Sequence, residues 1–247
     1  MENVIVIKIG TGVLTRENGT LNGAALVRLV TAISELKAEG YPVVMVSSGA
    51  VGAGVSTLGL DAYPQDVETR QAAAAIGQAR LMHRYQTLFE QFDLDVAQLL
   101  LTGGDLEGSR KRVSATMQRL LQEGDIIPIV NENDSVSVDE LRVGDNDLLS
   151  AKVAELLGAK RLILLTTVTG LLDHENQLIE RVDDLSTVED LARDESGKFS
   201  IGGMASKLKA VSYALDAKVE VIVAHGHDPE QLLDLAAGFG VGTHFSV

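Results

Sequence analysis

The chain predicts an α/β fold with a mostly parallel central sheet and helices over both of its faces. Two observations carry this. Short apolar runs recur along the sequence at 4–9, 43–46, 96–101, 126–130, 162–165 and 219–223, each of strand length and rich in Val, Ile and Leu. Stretches of ten or more residues with helical spacing separate most of them, the βαβ pattern that parallel strands require.

In chain order, the β-branched run 4–9 is a first strand followed by a Gly-containing turn. Residues 21–39 repeat apolar side chains at helical spacing (Leu26, Leu29, Val30, Ile33, Leu36) and stop at Gly40. The strand 43–46 ends in Ser47-Ser48-Gly49. A long helix is expected over 66–92, with an alanine-rich centre at 72–75. Strand 96–101 precedes a helix opened by Asp105, running to Gln122 and closed by Gly124. Strand 126–130 leads into a hairpin at 136–138 and 141–143. Helix 147–157 ends at Gly158, strand 162–165 follows, then helix 204–215, strand 219–223 and a last helix at 228–236. Residues 183–200 are the most polar and are the candidate mobile loop. The glycines of 238–242 close the chain back onto the domain. No linker, repeat or low-complexity segment divides the sequence, so residues 1–247 are expected to form a single domain.

Composition narrows the function. Of 247 residues, 45% are hydrophobic, enough for a sizeable core. Aromatics are 4% and Trp is absent, against an aromatic-lined sugar or single-strand nucleic-acid groove. The net charge of −14 argues against nucleic acid as the main ligand, yet leaves room for nucleotides, which need only local cations and helix N-termini. The absence of cysteine removes disulfides, thiolate metal sites and thiol nucleophiles and fits a cytoplasmic protein. The N-terminus is too short and too acidic for a signal peptide, and no apolar run is long enough to span a membrane.

Four segments could carry chemistry. Asn131-Glu132-Asn133-Asp134 and Gly144-Asp145-Asn146-Asp147 place seven carboxylate or amide side chains after a buried strand. That is where ligands sit in an open α/β sheet, although Asn and Asp are also ordinary turn residues. Lys8, within an apolar strand and followed by Gly10 and Gly12, is either a snorkelling strand-edge lysine or an ammonium placed to meet a phosphate, with glycines that admit the ligand closely. Ser48-Gly49-Ala50 leads into a helix start rich in small residues, suited to an anion or to tight packing. Gly202-Gly203-Met204 precedes a helix whose first turn holds Lys207. A cation there opposes the helix dipole, so it is either a solvated surface lysine or a partner for an anion. His225, His227 and Asp228 offer no third ligand at suitable spacing and read as a loop pair rather than a metal site. The motifs of P-loop nucleotidases and protein kinases are absent.

Together these segments resemble the amino acid kinase family, most closely its glutamate 5-kinase branch. The residues that carry the resemblance are VIKIGTGVLT ending at Thr15, VSSGAVGAG from Val46, RQAAAAIGQARLM from Arg70, LLLTGGDL from Leu99, IPIVNENDSVSVDE from Ile127, GDNDLLSAKVA from Gly144 and GGMASKLKA from Gly202. The resemblance implies a three-layer αβα sandwich, ATP with Mg²⁺, and phosphoryl transfer to the side-chain carboxylate of L-glutamate. Lys8 and Lys207 resemble the ammonium groups on the transferring phosphoryl group, and Asp147 the aspartate that holds them. Ser48, Asp134 and Asn146 resemble glutamate-binding residues, with Gly49, Ala50, Asn131 and Asp145 on the same side. Gly10, Thr166, Thr167, Ile201, Gly202, Gly203 and Met204 fall in the nucleotide segments, which also include Lys8 and Lys207. No protein ligand for the metal is implied, Mg²⁺ arriving with ATP. The resemblance further implies a homo-oligomer, proline as a feedback inhibitor and a functional link to the glutamyl-phosphate reductase.

Three positions depart from the family pattern: Thr167 stands where Asp is usual, Ile201 where Thr is usual, and Val143 where Phe is usual. The first two bear on the nucleotide. The sequence ends at Val247, before the RNA-binding-like domain of many members, so a kinase-only member is expected.

Overall fold

The computed structural model describes residues 3–135, 146–192 and 203–246. Among them lies an eight-stranded sheet of order β3-β4-β2-β1-β5-β7-β8-β6. Its strands are β1 (Ile5–Ile9), β2 (Val43–Ser47), β3 (Asp95–Leu101), β4 (Ile126–Glu132), β5 (Arg161–Thr166), β6 (Arg181–Val182), β7 (Glu220–His225) and β8 (Gly242–Phe245). The first six in spatial order, β3 to β7, run parallel. β8 is antiparallel to β7, and β6 pairs parallel to β8.

The helices are α1 (Thr11–Leu14), α2 (Gly23–Ala38), α3 (Ala50–Val55), α4 (Val67–Phe89), α5 (Gly103–Gly108), α6 (Arg110–Gln122), α7 (Asn146–Leu157), α8 (Met204–Asp216) and α9 (Leu232–Ala237). Successive strand residues point to opposite faces, and the core divides accordingly. Ile5, Ile7, Ile9, Met45, Ile129 and Ile163 pack with residues of α2, α4 and α9. Val6, Val44, Val46, Val130, Leu162 and Leu164 pack with α6, α7 and α8. This is the three-layer arrangement expected. The same alternation fixes the position of Lys8: two residues beyond Val6, it faces α7 and α8.

Several boundaries differ from expectation, each for a local reason. Asp105 does not open its helix. Thr102 is the N-cap, and Thr102 and Asp105 form a reciprocal capping box that starts α5 at Gly103. The helix then breaks at Ser109, so the stretch to Gln122 is two helices. Asp66 is the N-cap of α4, its side chain accepting from the Thr69 amide at 2.8 Å, and residues Glu90–Phe92 tighten into a 3₁₀ turn. The last helix is likewise a 3₁₀ turn, Pro229–Gln231, followed by α9. β4 runs to Glu132, so Asn131 and Glu132 are strand residues rather than turn residues. Two strands, β6 and β8, and the short helix α1 had not been expected as elements, while the helix start expected after Ser48-Gly49-Ala50 is the six-residue α3. The hairpin expected within 136–143 lies outside the described residues, as do 193–200 of the candidate mobile loop. Residues 183–192 contain two short 3₁₀ helices.

α3 exists because it packs backbone to backbone on α4. A Cβ at Gly77 would stand 1.8 Å from the Ala50 carbonyl oxygen, and one at Gly54 would stand 2.0 Å from that of Ala73. The small residues around Ala50 and along α4 are therefore a contact surface, and they fix where the chain leaves β2. Gly49, at φ 95°, makes the left-handed turn between β2 and α3.

Candidate active site

The site lies at the carboxyl ends of β1, β2, β4 and β5, where parallel α/β sheets open a crevice. Its first half is ionic. Lys8 near the end of β1 and Lys207 in α8 converge on Asp147 at the start of α7. Lys8 pairs with Oδ1 and Lys207 Nζ stands 3.4 Å from Oδ2. All three are buried, Lys8 at 6%, Lys207 at 7% and Asp147 at 0% exposure. Lys8 is thus neither snorkelling nor at a strand edge, and Lys207 is not a solvated surface lysine. Burial would raise the Asp147 carboxyl, but the two ammonium groups outweigh it and hold the group below the usual carboxylate range. α8 begins after Gly203, which has no side chain to cap it, and the Ser206 and Lys207 amides donate to the Gly203 carbonyl at 3.1 and 3.3 Å. Met204 is buried beneath that turn.

The second half is a carboxamide cluster. Asn146 Nδ2 donates to the Ser47 carbonyl (3.2 Å), to Ser48 Oγ (3.0 Å) and to Asn131 Oδ1 (3.1 Å). Asn131 Oδ1 also accepts from the Glu132 amide at 2.9 Å, and Asn131 Nδ2 donates to Gln78 Oε1 at 2.8 Å. A backbone N–H can only donate and a carbonyl can only accept, so both Asn orientations are fixed. Asn146 Oδ1 is buried and accepts from no described residue. Ser47 Oγ shares a bond of 3.0 Å with the hydroxyl of the buried Tyr85.

Asp134 stands beyond this cluster. Burial, then the Glu132 charge, push its carboxyl up to about 6, against the opposing pull of Arg70. Burial and the Asp134 charge also raise the Tyr63 phenol. Arg70, Gln78 and Tyr85 are spaced eight and seven residues apart on α4, close to two turns each, so one stripe of that helix serves the site.

On the nucleotide side, Thr166 ends β5 and is buried, while Thr167 is exposed and lies against Gly12, where an added Cβ would meet its methyl at 2.7 Å. Gly10 donates its amide to the Leu165 carbonyl at 2.9 Å. A Cβ on it would crowd the Leu165 carbonyl oxygen at 3.1 Å and stand in ordinary contact, 3.9 Å, with the Lys8 ammonium. Of the expected site residues, Lys8, Asp147 and Lys207 are brought together, as are Ser48, Asn131 and Asn146, with Gly49 and Ala50 at the β2–α3 turn. Asp145, Ile201 and Gly202 lie outside the described residues. His225 and His227 pack edge to face with ring centroids 5.1 Å apart, and His225 Nδ1 is 3.5 Å from Asp228.

Gln78, Tyr63 and Arg70 were not assigned roles from sequence. A glutamine within an alanine-rich, buried helix was the available signal for the first. Arg70 opens the RQAAAAIGQARLM segment with no role implied for it, and nothing local marks Tyr63.

Residues 3–225 match the amino acid kinase family. The chain is 44% identical over 255 residues to the glutamate 5-kinase of Synechococcus elongatus, covering 99% of this chain and 69% of that protein. It is 43% identical to the glutamate 5-kinase of Symbiobacterium thermophilum, covering 98% and 95%. Among solved structures it superposes on a carbamate kinase from Giardia lamblia with a TM-score of 0.67 at 15% identity, covering 99% and 98% of the two chains. A UMP kinase from Ureaplasma parvum gives 0.64 at 13% identity, with both chains fully covered. The structural likenesses speak for the fold, and the family match and the sequence relatives place this chain in the amino acid kinase family.

Proposed function

We propose that the chain transfers the γ-phosphoryl group of ATP to the side-chain carboxylate of L-glutamate, giving L-glutamyl 5-phosphate and ADP, the first step of proline biosynthesis. The observation that carries this reading is the convergence of Lys8 and Lys207 on Asp147 at the same sheet edge as the Ser48–Asn146–Asn131 cluster. The relatives named glutamate 5-kinase favour it over another small-carboxylate kinase of the fold or a non-catalytic paralogue.

A carboxylate nucleophile is ionised at neutral pH, so no general base is required. Its oxygen attacks the γ-phosphorus, the bond from that phosphorus to the ADP oxygen breaks, and ADP leaves with the electron pair. Lys8 and Lys207 neutralise charge on the moving group, and Asp147 fixes both ammonium groups where that charge develops. The uncapped N-terminus of α8 and the bare Gly10 suit phosphate oxygens. Mg²⁺ would be held through the phosphates of ATP and supply further charge neutralisation. Among the described residues no group of three or more His, Asp or Glu is arranged to hold a metal. Asn146 Oδ1, a buried acceptor with no partner among the described residues, and the Asp134 carboxylate suit the α-ammonium of an amino acid.

The reading extends to residues 1–247 as one amino acid kinase domain. It includes assembly as a homo-oligomer, feedback inhibition by proline, and delivery of the acyl phosphate to a reductase in the cytoplasm. No described helix is long and apolar enough to cross a membrane. The test is trapping of the acyl phosphate as hydroxamate, with ATP, with and without Mg²⁺, and with L-glutamate, L-aspartate or N-acetylglutamate. Mg²⁺-dependent product with L-glutamate alone supports the reading. No product with L-glutamate from folded protein refutes it.

A further inference from the structure

Gln78 is 8% exposed and lies on α4, away from the polar segments that mark the site. Burying a carboxamide is unfavourable unless its bonds are made. Its Oε1 accepts from Asn131 Nδ2 at 2.8 Å, whereas its Nε2 has no partner among the described residues. The bond to Asn131 is therefore what the structure offers to account for a polar side chain at this position.

That bond closes a directed chain. Asn146 donates to Asn131, and Asn131 donates to Gln78. The Glu132 amide holds Asn131 Oδ1 from one side. Gln78 holds the other half of the same amide and so fixes its plane. Asn131 Oδ1 in turn is one of three acceptors that orient Asn146, whose remaining oxygen is the buried acceptor described above.

We propose that Gln78 is a positioning residue for the amino acid substrate. It acts through Asn131 to hold the Asn146 carbonyl oxygen where a substrate ammonium meets it. The inference rests on the glutamate-kinase reading. The hydrogen bond to Asn131 ties Gln78 to the carboxamide cluster, so its loss should be felt on the amino acid and not on the nucleotide.

The test compares wild type, Gln78→Met and Gln78→Glu in the hydroxamate assay, with L-glutamate and with glutarate, which lacks the ammonium. Gln78→Met keeps the volume and removes the acceptor. Its KM for L-glutamate is expected to rise about tenfold, a loss of about 1.4 kcal/mol, with the KM for ATP unchanged. Its preference for L-glutamate over glutarate should shrink by a similar factor. Gln78→Glu retains an acceptor facing Asn131 and should keep the L-glutamate KM within about threefold of wild type. A folded Gln78→Met with unchanged L-glutamate KM overturns the inference. So does an equal rise in both KM values, which marks a merely structural role. If Gln78→Met does not fold, Gln78→Glu decides, and a rise of tenfold or more there counts against the inference. Wild type that forms product while these variants match it refutes only the role of Gln78. Wild type that forms none refutes the functional reading as well.

Discussion

Replacing Asp147 by Asn tests the ionic half of the site through stability alone. The carboxylate is fully buried and holds two ammonium groups that are themselves 6% and 7% exposed. An amide of the same shape removes the negative charge that both ammonium groups face, with little solvent to replace it. Breaking a buried pair by removing one partner costs about 3–5 kcal/mol. For a chain of this size each kcal/mol lowers Tm by about 2–4 °C, so Asp147→Asn should melt about 6–20 °C below wild type at pH 7. Adding Lys8→Met to that variant removes one of the two like charges and should recover part of the loss. The pH dependence has a definite sign. A carboxyl held below its unfolded value contributes stability that is present above the ordinary carboxylate range and is lost as pH falls through the folded value. The melting curves of wild type and Asp147→Asn should therefore converge only in strong acid. Thermal denaturation by circular dichroism from pH 7 downward reads both effects. An Asp147→Asn protein that melts within 2 °C of wild type at pH 7 would refute the claim that this carboxylate neutralises both lysines.

Two further outcomes are expected. Asp134, raised to about 6, must be ionised to pair with a substrate ammonium, so the KM for L-glutamate should be level above pH 7 and climb by up to about tenfold per unit below pH 6. Its effect on stability has the opposite sign to that of Asp147, with protonation favouring the folded state as pH falls from 7 toward 4, and a KM flat from pH 7.5 to 5 would exclude the assigned role. Gly77→Ala would press a methyl to within 1.8 Å of the Ala50 carbonyl oxygen and 2.6 Å of the Gly54 amide nitrogen. It should cost about 1–3 kcal/mol and raise the L-glutamate KM, because α3 begins two residues after Ser48. An unchanged melting temperature would contradict the close α3–α4 contact.

The sheet was legible because five of its strands are buried apolar runs and the sixth, β3, is an apolar run at the sheet edge that stays largely exposed or half-buried, and period-2 alternation alone sets Lys8 on the face opposite Ile7 and Ile9. β8 was not, since Gly242-Thr243-His244-Phe245 carries neither an apolar run nor a clear alternation, and it pairs only because the turn after α9 brings it beside β7. α3 was legible only as a helix start, not in its length or its seat, because a six-residue helix with two glycines has poor intrinsic propensity and is held by its contact with α4. In the site, residues clustered in sequence, such as Asn131 with Asp134 and Asn146 with Asp147, announced themselves. Gln78 did not, because its partner is 53 residues away and only the packing of α4 against β4 and β2 brings the two together. The buried state of Lys207 was not readable from its own helix turn, where a lysine is a surface residue unless a carboxylate from another helix meets it, and only the family resemblance paired it with Asp147.

The central claim divides the site into a carboxamide half that binds the amino acid and a lysine half that transfers the phosphoryl group. The most direct measurement is of Lys207→Met, comparing kcat with calorimetric binding of L-glutamate. The expected result is a fall in kcat of about 10²–10³-fold or more with the Kd for L-glutamate within about threefold of wild type. Near wild-type turnover, or lost glutamate binding in a folded variant, would contradict it.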